Sequence, residues 1–198
     1  MQASLKEAEL NKLKSQLNPH FMFNAMNSIR ALVDENPQKA KQAVTQLSNI
    51  LRQTLTLEKN KLISFDDELT LVKDYLALEK IRFEERLHYS LDIDEASSRY
   101  KLPPMLLQTL VENAIKHGIS KLTKGGMVSI TTKYQSETNK LKIEIANSGI
   151  YKPDENPQSG YGIQNTKDRL TYVFADGASF FIVNENDVVK TEIVIPLQ

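Results

Sequence analysis

Leu87-His88-Tyr89-Ser90-Leu91-Asp92-Ile93-Asp94 divides this chain of 198 residues into two kinds of structure. Leu87, Tyr89, Leu91 and Ile93 alternate with polar neighbours, the period of a half-buried strand. Upstream, apolar residues recur at helical spacing. Ser64 opens a helix with Asp67 as its capping-box partner, and Asp66, Asp67 and Glu68 suit the positive end of the helix dipole. Leu69, Val72, Leu76 and Phe83 mark its buried side. Before it, Asn36-Pro37 is a helix restart, and Val44, Leu47, Leu51 and Leu55 form a stripe that ends near Lys59-Asn60-Lys61. Farther out, from Leu5 to about Val33, a glycine-free stretch carries Leu10, Leu13, Leu17, Phe21 and Asn24 at spacings of three and four. Two stripes joined by a short break predict a helical hairpin, whose exposed seam pairs with a second copy as a four-helix bundle.

Downstream of Asp94 the elements mix. Pro103-Pro104 introduces a helix that runs to Gly118. Strands are predicted at Val128–Thr132 and Leu141–Ile145, a polar loop at Ser148–Gly160, and a helix at Ile163–Val173. Two last strands, Ser179–Val183 and Val188–Ile195, turn at Glu185-Asn186-Asp187. The class is α+β, with a helical region over 1–64 and a mixed α/β domain over 65–198.

Composition excludes several functions. With 25 basic and 25 acidic residues the net charge is zero, which excludes the basic footprint of a general nucleic-acid binder. Cysteine is absent, so disulfides, thiolate metal sites and thiol nucleophiles are excluded. No apolar run reaches the roughly 18 residues of a membrane span, and MQASLKEAEL does not have signal-peptide composition.

Three constellations carry chemistry. Thr109, Glu112, Asn113, Lys116 and His117 lie at i, i+3, i+4, i+7 and i+8 on one helix. They therefore share a face opposite Leu107, Leu110, Val111 and Ala114. Asn113 offers a neutral oxygen to Mg²⁺, and Lys116 and His117 can neutralise phosphate. The plainer account of such a pattern is a solvated helix face. Gly160-Tyr161-Gly162-Ile163-Gln164-Asn165 precedes a helix, where backbone N–H groups can meet an anion; the plainer account is a tight turn. Asn18-Pro19-His20-Phe21-Met22-Phe23-Asn24 places a costly helix proline beside a histidine, whose neutral imidazole is a competent nucleophile toward phosphorus.

Taken together, these segments resemble the LytS-type sensor histidine kinases. LKSQLNPHFMFN over 13–24 resembles their phosphoacceptor motif, PMLLQTLVENAIKHG over 104–118 their N box, and GYGIQNTKDRL over 160–170 their glycine-rich box. LTLVKDYLALEKIRFEERL between the first two is also family-like. The resemblance covers nearly the whole chain. It implies an N-terminal dimerising hairpin followed by a GHKL (Bergerat-type) α/β sandwich with a mixed sheet. It implies ATP-dependent autophosphorylation on His20 and transfer to an aspartate of a response regulator, commonly of LytTR type, with no direct nucleic-acid contact. Carried over, Asn113 holds Mg²⁺, and Lys116 and His117 lie near the phosphates. Asn147 and Gly149 sit where the family reads adenine, and Gly160, Gly162 and Asn165 belong to the nucleotide box and its lid. Family members usually carry a membrane or sensory region before this part, so a cytoplasmic fragment of a plasma-membrane protein is expected.

The sequence departs from the wider pattern twice. Many GHKL proteins have Asp-X-Gly where this chain has Asn147-Ser148-Gly149, and a flip of the asparagine amide would partly accommodate guanine. Many histidine kinases place an acid directly after the phosphoacceptor; here Phe21 stands there. Asn24 can orient the imidazole but is a poor base, and Glu112, the candidate base, must come from the other domain. Two rivals accompany this reading, a pseudokinase that signals by dimer rearrangement and a plain GHKL ATP hydrolase. Neither gives the Pro19-His20 arrangement a role.

Overall fold

The computed structural model describes residues 19–57, 60–151 and 161–197. Helix α1 spans Pro19–Glu35 and α2 Pro37–Leu57. The upstream part of the expected first helix, 5–18, lies outside the described residues, as does most of the loop expected at Ser148–Gly160. Asn36 accepts at Oδ1 from Lys39 N–H at 3.0 Å, so it restarts the chain as an N-cap does.

The buried stripe of α2 differs from the predicted one. Ala40, Ala43, Leu47, Ile50 and Thr54 are buried, while Val44 and Leu55 are half exposed. Small Ala side chains let α2 approach its neighbours closely, so the packed face follows the alanines and not the largest apolar residues.

Helix α3, Phe65–Phe83, is the centre of the molecule. Ser64 caps it as predicted: its Oγ accepts from Asp67 N–H at 3.1 Å and donates to Asp67 Oδ2 at 2.6 Å. Leu69, Val72, Leu76 and Phe83 are buried, but so are Phe65, Leu71, Tyr75 and Leu78. The helix is covered on most of its surface, because the hairpin packs on one flank and the sheet and next helix on the other; a stripe through Asp66, Thr70 and Lys73 faces solvent. Phe21 of α1 stacks on Tyr75 with ring centroids 4.9 Å apart, and Asn49 of α2 donates to Asp74 at 3.2 Å.

Two short strands, β1 (Ile63–Ser64) and β3 (Lys101–Leu102), pair antiparallel just before α3. Phe65 N–H also donates to the Tyr100 carbonyl. The start of α3 is therefore fixed to the second half of the chain. The main sheet has the order β2-β4-β5-β7-β6. Its strands are β2 (Leu87–Asp92), β4 (Gly126–Gln135), β5 (Lys140–Ser148), β6 (Ser179–Glu185) and β7 (Val188–Pro196). β2 and β4 are parallel and the other pairs antiparallel, so the sheet is mixed. β2 is an edge strand, which leaves Tyr89 of the predicted buried set exposed. On β4, β5 and β7, Val128, Ile130, Leu141, Ile143, Ile145, Ile193 and Ile195 point into a core that continues to Phe21 and Leu47. Helices α4 (Leu106–Asn113) and α5 (Tyr161–Phe174) complete the fold.

Candidate functional site

Helix α4 begins without a side-chain cap of its own. Met105 takes a left-handed conformation, φ 63°, and the free N–H groups are met from α3. The buried Glu68 carboxylate accepts from Met105 N–H, and from Leu107 N–H at 2.8 Å. Arg169 of α5 donates to the Pro104 carbonyl at the same point. One knot therefore fixes α4 to both α3 and α5. Burial pushes the Glu68 carboxyl up to about 7, against the lowering effect of these backbone donors and of Arg169.

After Asn113 the helix widens into a π-helical segment, Ala114–Gly118. Such a turn carries an extra residue, so the regular face expected from the spacing is broken. Asn113 and His117 line a cavity of about 940 Å³, and Lys116 is exposed outside it. Glu112 also lies off the cavity. It accepts from Gln108 at 2.8 Å on the seam with α3, where its charge acts on Tyr75 and Glu79. Glu79 is itself pushed up to about 7, by burial first; Arg82 lowers it, at 3.3 Å, and Glu112 raises it.

The cavity wall opposite α4 comes from β5, β7 and the start of α5. Asn147 is buried, and its Nδ2 donates to the Ser148 carbonyl at 3.0 Å. That bond sets the amide, because a flipped group would bring Oδ1 against a carbonyl oxygen. The sequence-based expectation that a flip accommodates guanine is corrected here. Gly118 is needed at this junction: a Cβ there would lie 2.4 Å from Asn147 Nδ2 and 2.7 Å from the Ser148 carbonyl. Gly149, at φ 125°, turns the chain along the cavity. Gly162 brings α5 against α4; a Cβ on it would stand 3.4 Å from Asn113 Nδ2.

Asn113 Nδ2 is buried with no hydrogen-bond partner. A buried amide left unpaired costs free energy, and a ligand in the adjoining cavity can meet it. Among the described residues no group of three or more His, Asp or Glu could hold a metal. Mg²⁺ is often held by one or two protein oxygens with water and substrate phosphates, so a lone asparagine amide beside a cavity fits it. Asn165 is exposed and off the cavity, and Gly160 lies outside the described residues. Lys121, Ile182, Val189 and Thr191 line the cavity without having been singled out in the sequence, as does Asp187, which the sequence marked only as a turn residue. Ile182, Val189 and Thr191 lie within β6 and β7, Asp187 in the turn between them and Lys121 in a short helical turn after Gly118, and no local motif marks them as cavity residues.

His20 sits apart, exposed on α1. The Asn24 amide nitrogen stands 3.2 Å from its Nδ1 and 3.4 Å from its Nε2, so Asn24 does hold the imidazole.

A family profile described as Histidine kinase matches residues 8–87, across the His20 motif and α3. The sensor histidine kinase BtsS of Escherichia coli is 37% identical over 185 residues, 93% of this chain and 32% of that protein. The sensor protein LytS of Enterococcus faecalis is 33% identical over 192 residues, 91% of this chain and 32% of that protein.

The chain belongs to the histidine kinase family, in its LytS-type branch.

This histidine kinase chain spans about a third of the length of these curated relatives. Its fold is also that of solved histidine kinases. The kinase domain of a blue-light-activated histidine kinase from Erythrobacter litoralis aligns with a TM-score of 0.54 at 15% identity, over 94% of this chain and 96% of that one. AdeS of Acinetobacter baumannii aligns at 0.51 with 17% identity, over 90% and 95%. Histidine kinase ThkA in complex with the response regulator TrrA aligns at 0.50 with 15% identity, over 98% and 64%. The α+β class with a mixed GHKL-type sheet is the fold predicted from sequence. Among the described residues no helix is long and apolar enough to cross a membrane.

Proposed function

We propose that this chain binds Mg²⁺-ATP in the cavity between α4 and the sheet and transfers the γ-phosphoryl group to His20. The phosphoryl then passes to an aspartate of a response regulator, in the LytS setting one of LytTR type. The observation that carries the reading is Asn113, whose Nδ2 is buried and unpaired and which lines a large cavity built by two motif segments, with His20 exposed on a separate hairpin.

A neutral imidazole nitrogen of His20 attacks the γ-phosphorus as the bond to the ADP oxygen breaks, and the ring proton leaves to a base. Asn24 holds the ring. Glu112 stands on the α3–α4 seam, next in sequence to Asn113, and remains the candidate base only if the hairpin brings His20 to it. Mg²⁺, held by Asn113, would offset phosphate charge, with His117 beside it. Asn147 presents its Oδ1 as a fixed acceptor for the exocyclic amine of adenine. The chain's own work is to position and neutralise, which suits phosphoryl transfer.

The test is calorimetric titration with Mg²⁺-ATP. Wild type should bind, and Asn113→Ala should lose binding by at least about tenfold while unfolding as wild type does. Equal affinities in the two proteins would remove Asn113 from the site.

A further inference from the structure

Asn184 lies on β6, two residues from Ile182, so the two share a strand face, and Ile182 lines the cavity. The Asn184 carboxamide meets the backbone of Tyr151 twice. Tyr151 N–H donates to Asn184 Oδ1 at 2.8 Å, and Asn184 Nδ2 donates to the Tyr151 carbonyl at 2.8 Å. The N–H and C=O of one residue on a neighbouring antiparallel strand would make the same pair of bonds. Here a side chain supplies them, because β5 leaves its ladder at Ser148, opposite Val188. Between these two anchors Gly149 N–H donates to the Asp187 carbonyl at 2.8 Å. Asn186 and Asp187 form the turn with φ of 49° and 61°, a geometry that asparagine and aspartate tolerate. Gly149, Ile150 and Tyr151 all line the cavity. This part of its wall is thus shaped by the β6–β7 hairpin through three hydrogen bonds and by no strand of its own.

We propose that Asn184 is a positioning residue of the nucleotide site, clasping Gly149–Tyr151 in the shape that receives the base. The proposal rests on the nucleotide-binding reading above. Without the clasp, the wall spends part of its time in shapes that do not bind, and affinity falls by that fraction. Once nucleotide has ordered the wall, transfer from it to His20 is unaffected, because Asn184 touches neither reacting group. Asn184 is exposed near the end of an edge strand, so its truncation leaves the core intact.

The experiment compares the whole chain with Asn184→Ala in two readouts. Amide exchange without nucleotide should show faster exchange at Tyr151 and unchanged exchange at Ile193 in the core of β7. Kinetics with Mg²⁺-ATP should show KM raised roughly tenfold, the equivalent of one to two lost hydrogen bonds, with kcat within about twofold of wild type. Unchanged Tyr151 exchange overturns the clasp. Faster exchange with an unchanged KM overturns its role in nucleotide binding, as does a loss confined to kcat. If wild type binds no nucleotide, the underlying reading fails, and this proposal with it, whatever the exchange shows.

Discussion

At the residue scale, the departure at Asn147 becomes a prediction about base choice. An aspartate can only accept, and an asparagine can in principle turn its donor to the base instead. Here Nδ2 is committed to the Ser148 carbonyl, so Oδ1 alone is offered, as from an aspartate. Guanine presents an oxygen where adenine presents an amine, and a mismatch of two acceptors costs about 1–3 kcal/mol. ATP should therefore bind roughly tenfold or more tightly than GTP, and Asn147→Asp should keep that preference. Titration of both nucleotides against both proteins checks it; equal affinities in wild type would take Asn147 out of base recognition. The chemistry of this residue was legible in the sequence, but its orientation was not, because a neighbouring carbonyl decides it. Asn113 is similar: its motif was plain, while the buried, unpaired Nδ2 becomes visible only once α5 packs beside it.

At the scale of elements, α3 behaves differently from its sequence pattern. Glutamate usually stays in solvent, yet Glu68 and Glu79 are both buried at joints between helices. Glu68 stands four residues before Val72 and Glu79 seven after it, so helical spacing places both on the buried side, and only their charge argued against it. The π-helical segment after Asn113 was invisible, since no residue type signals it, and it is what separates Lys116 from the cavity. By contrast the cap at Ser64 and the turn at Asn186-Asp187 rest on local chemistry and were legible. The buried Glu79 has a measurable consequence. Its carboxyl is raised from 4.5 to about 7 in the folded chain, so the folded state holds its proton more tightly than the unfolded one. Its contribution to stability is complete below about pH 4.5 and is lost as pH rises toward 7, by up to about 3 kcal/mol. Glu79→Gln removes that titration. Relative to wild type, the variant should become more stable as pH is raised from 5 to 8, read from urea midpoints. A stability difference that does not change over this range would contradict the buried acid.

At the scale of the whole molecule, the hairpin leaves apolar surface uncovered. Phe23, Met26 and Val33 on α1 and Val44 and Leu55 on α2 are all about half exposed or more. Val44 and Leu55 are eleven residues apart, about three helical turns, so they fall on one line. Their exposure, which spoiled them as core residues, suits the pairing with a second copy expected from the sequence. Wild type should sediment as a dimer, and Val44→Glu with Leu55→Glu should give a folded monomer. A monomeric wild type, or a dimeric double variant, would contradict a dimer built on this face.

The destination of the phosphoryl group is the most direct test of the proposed function. The chain is incubated with Mg²⁺-ATP, kept alkaline, digested and analysed by tandem mass spectrometry. One acid-labile, alkali-stable phosphoryl group should appear on His20 and be absent from His20→Gln, whose affinity for Mg²⁺-ATP should stay at the wild-type value. Phosphate released with no modified histidine, or a phosphoryl group that persists in His20→Gln, would contradict the proposed function.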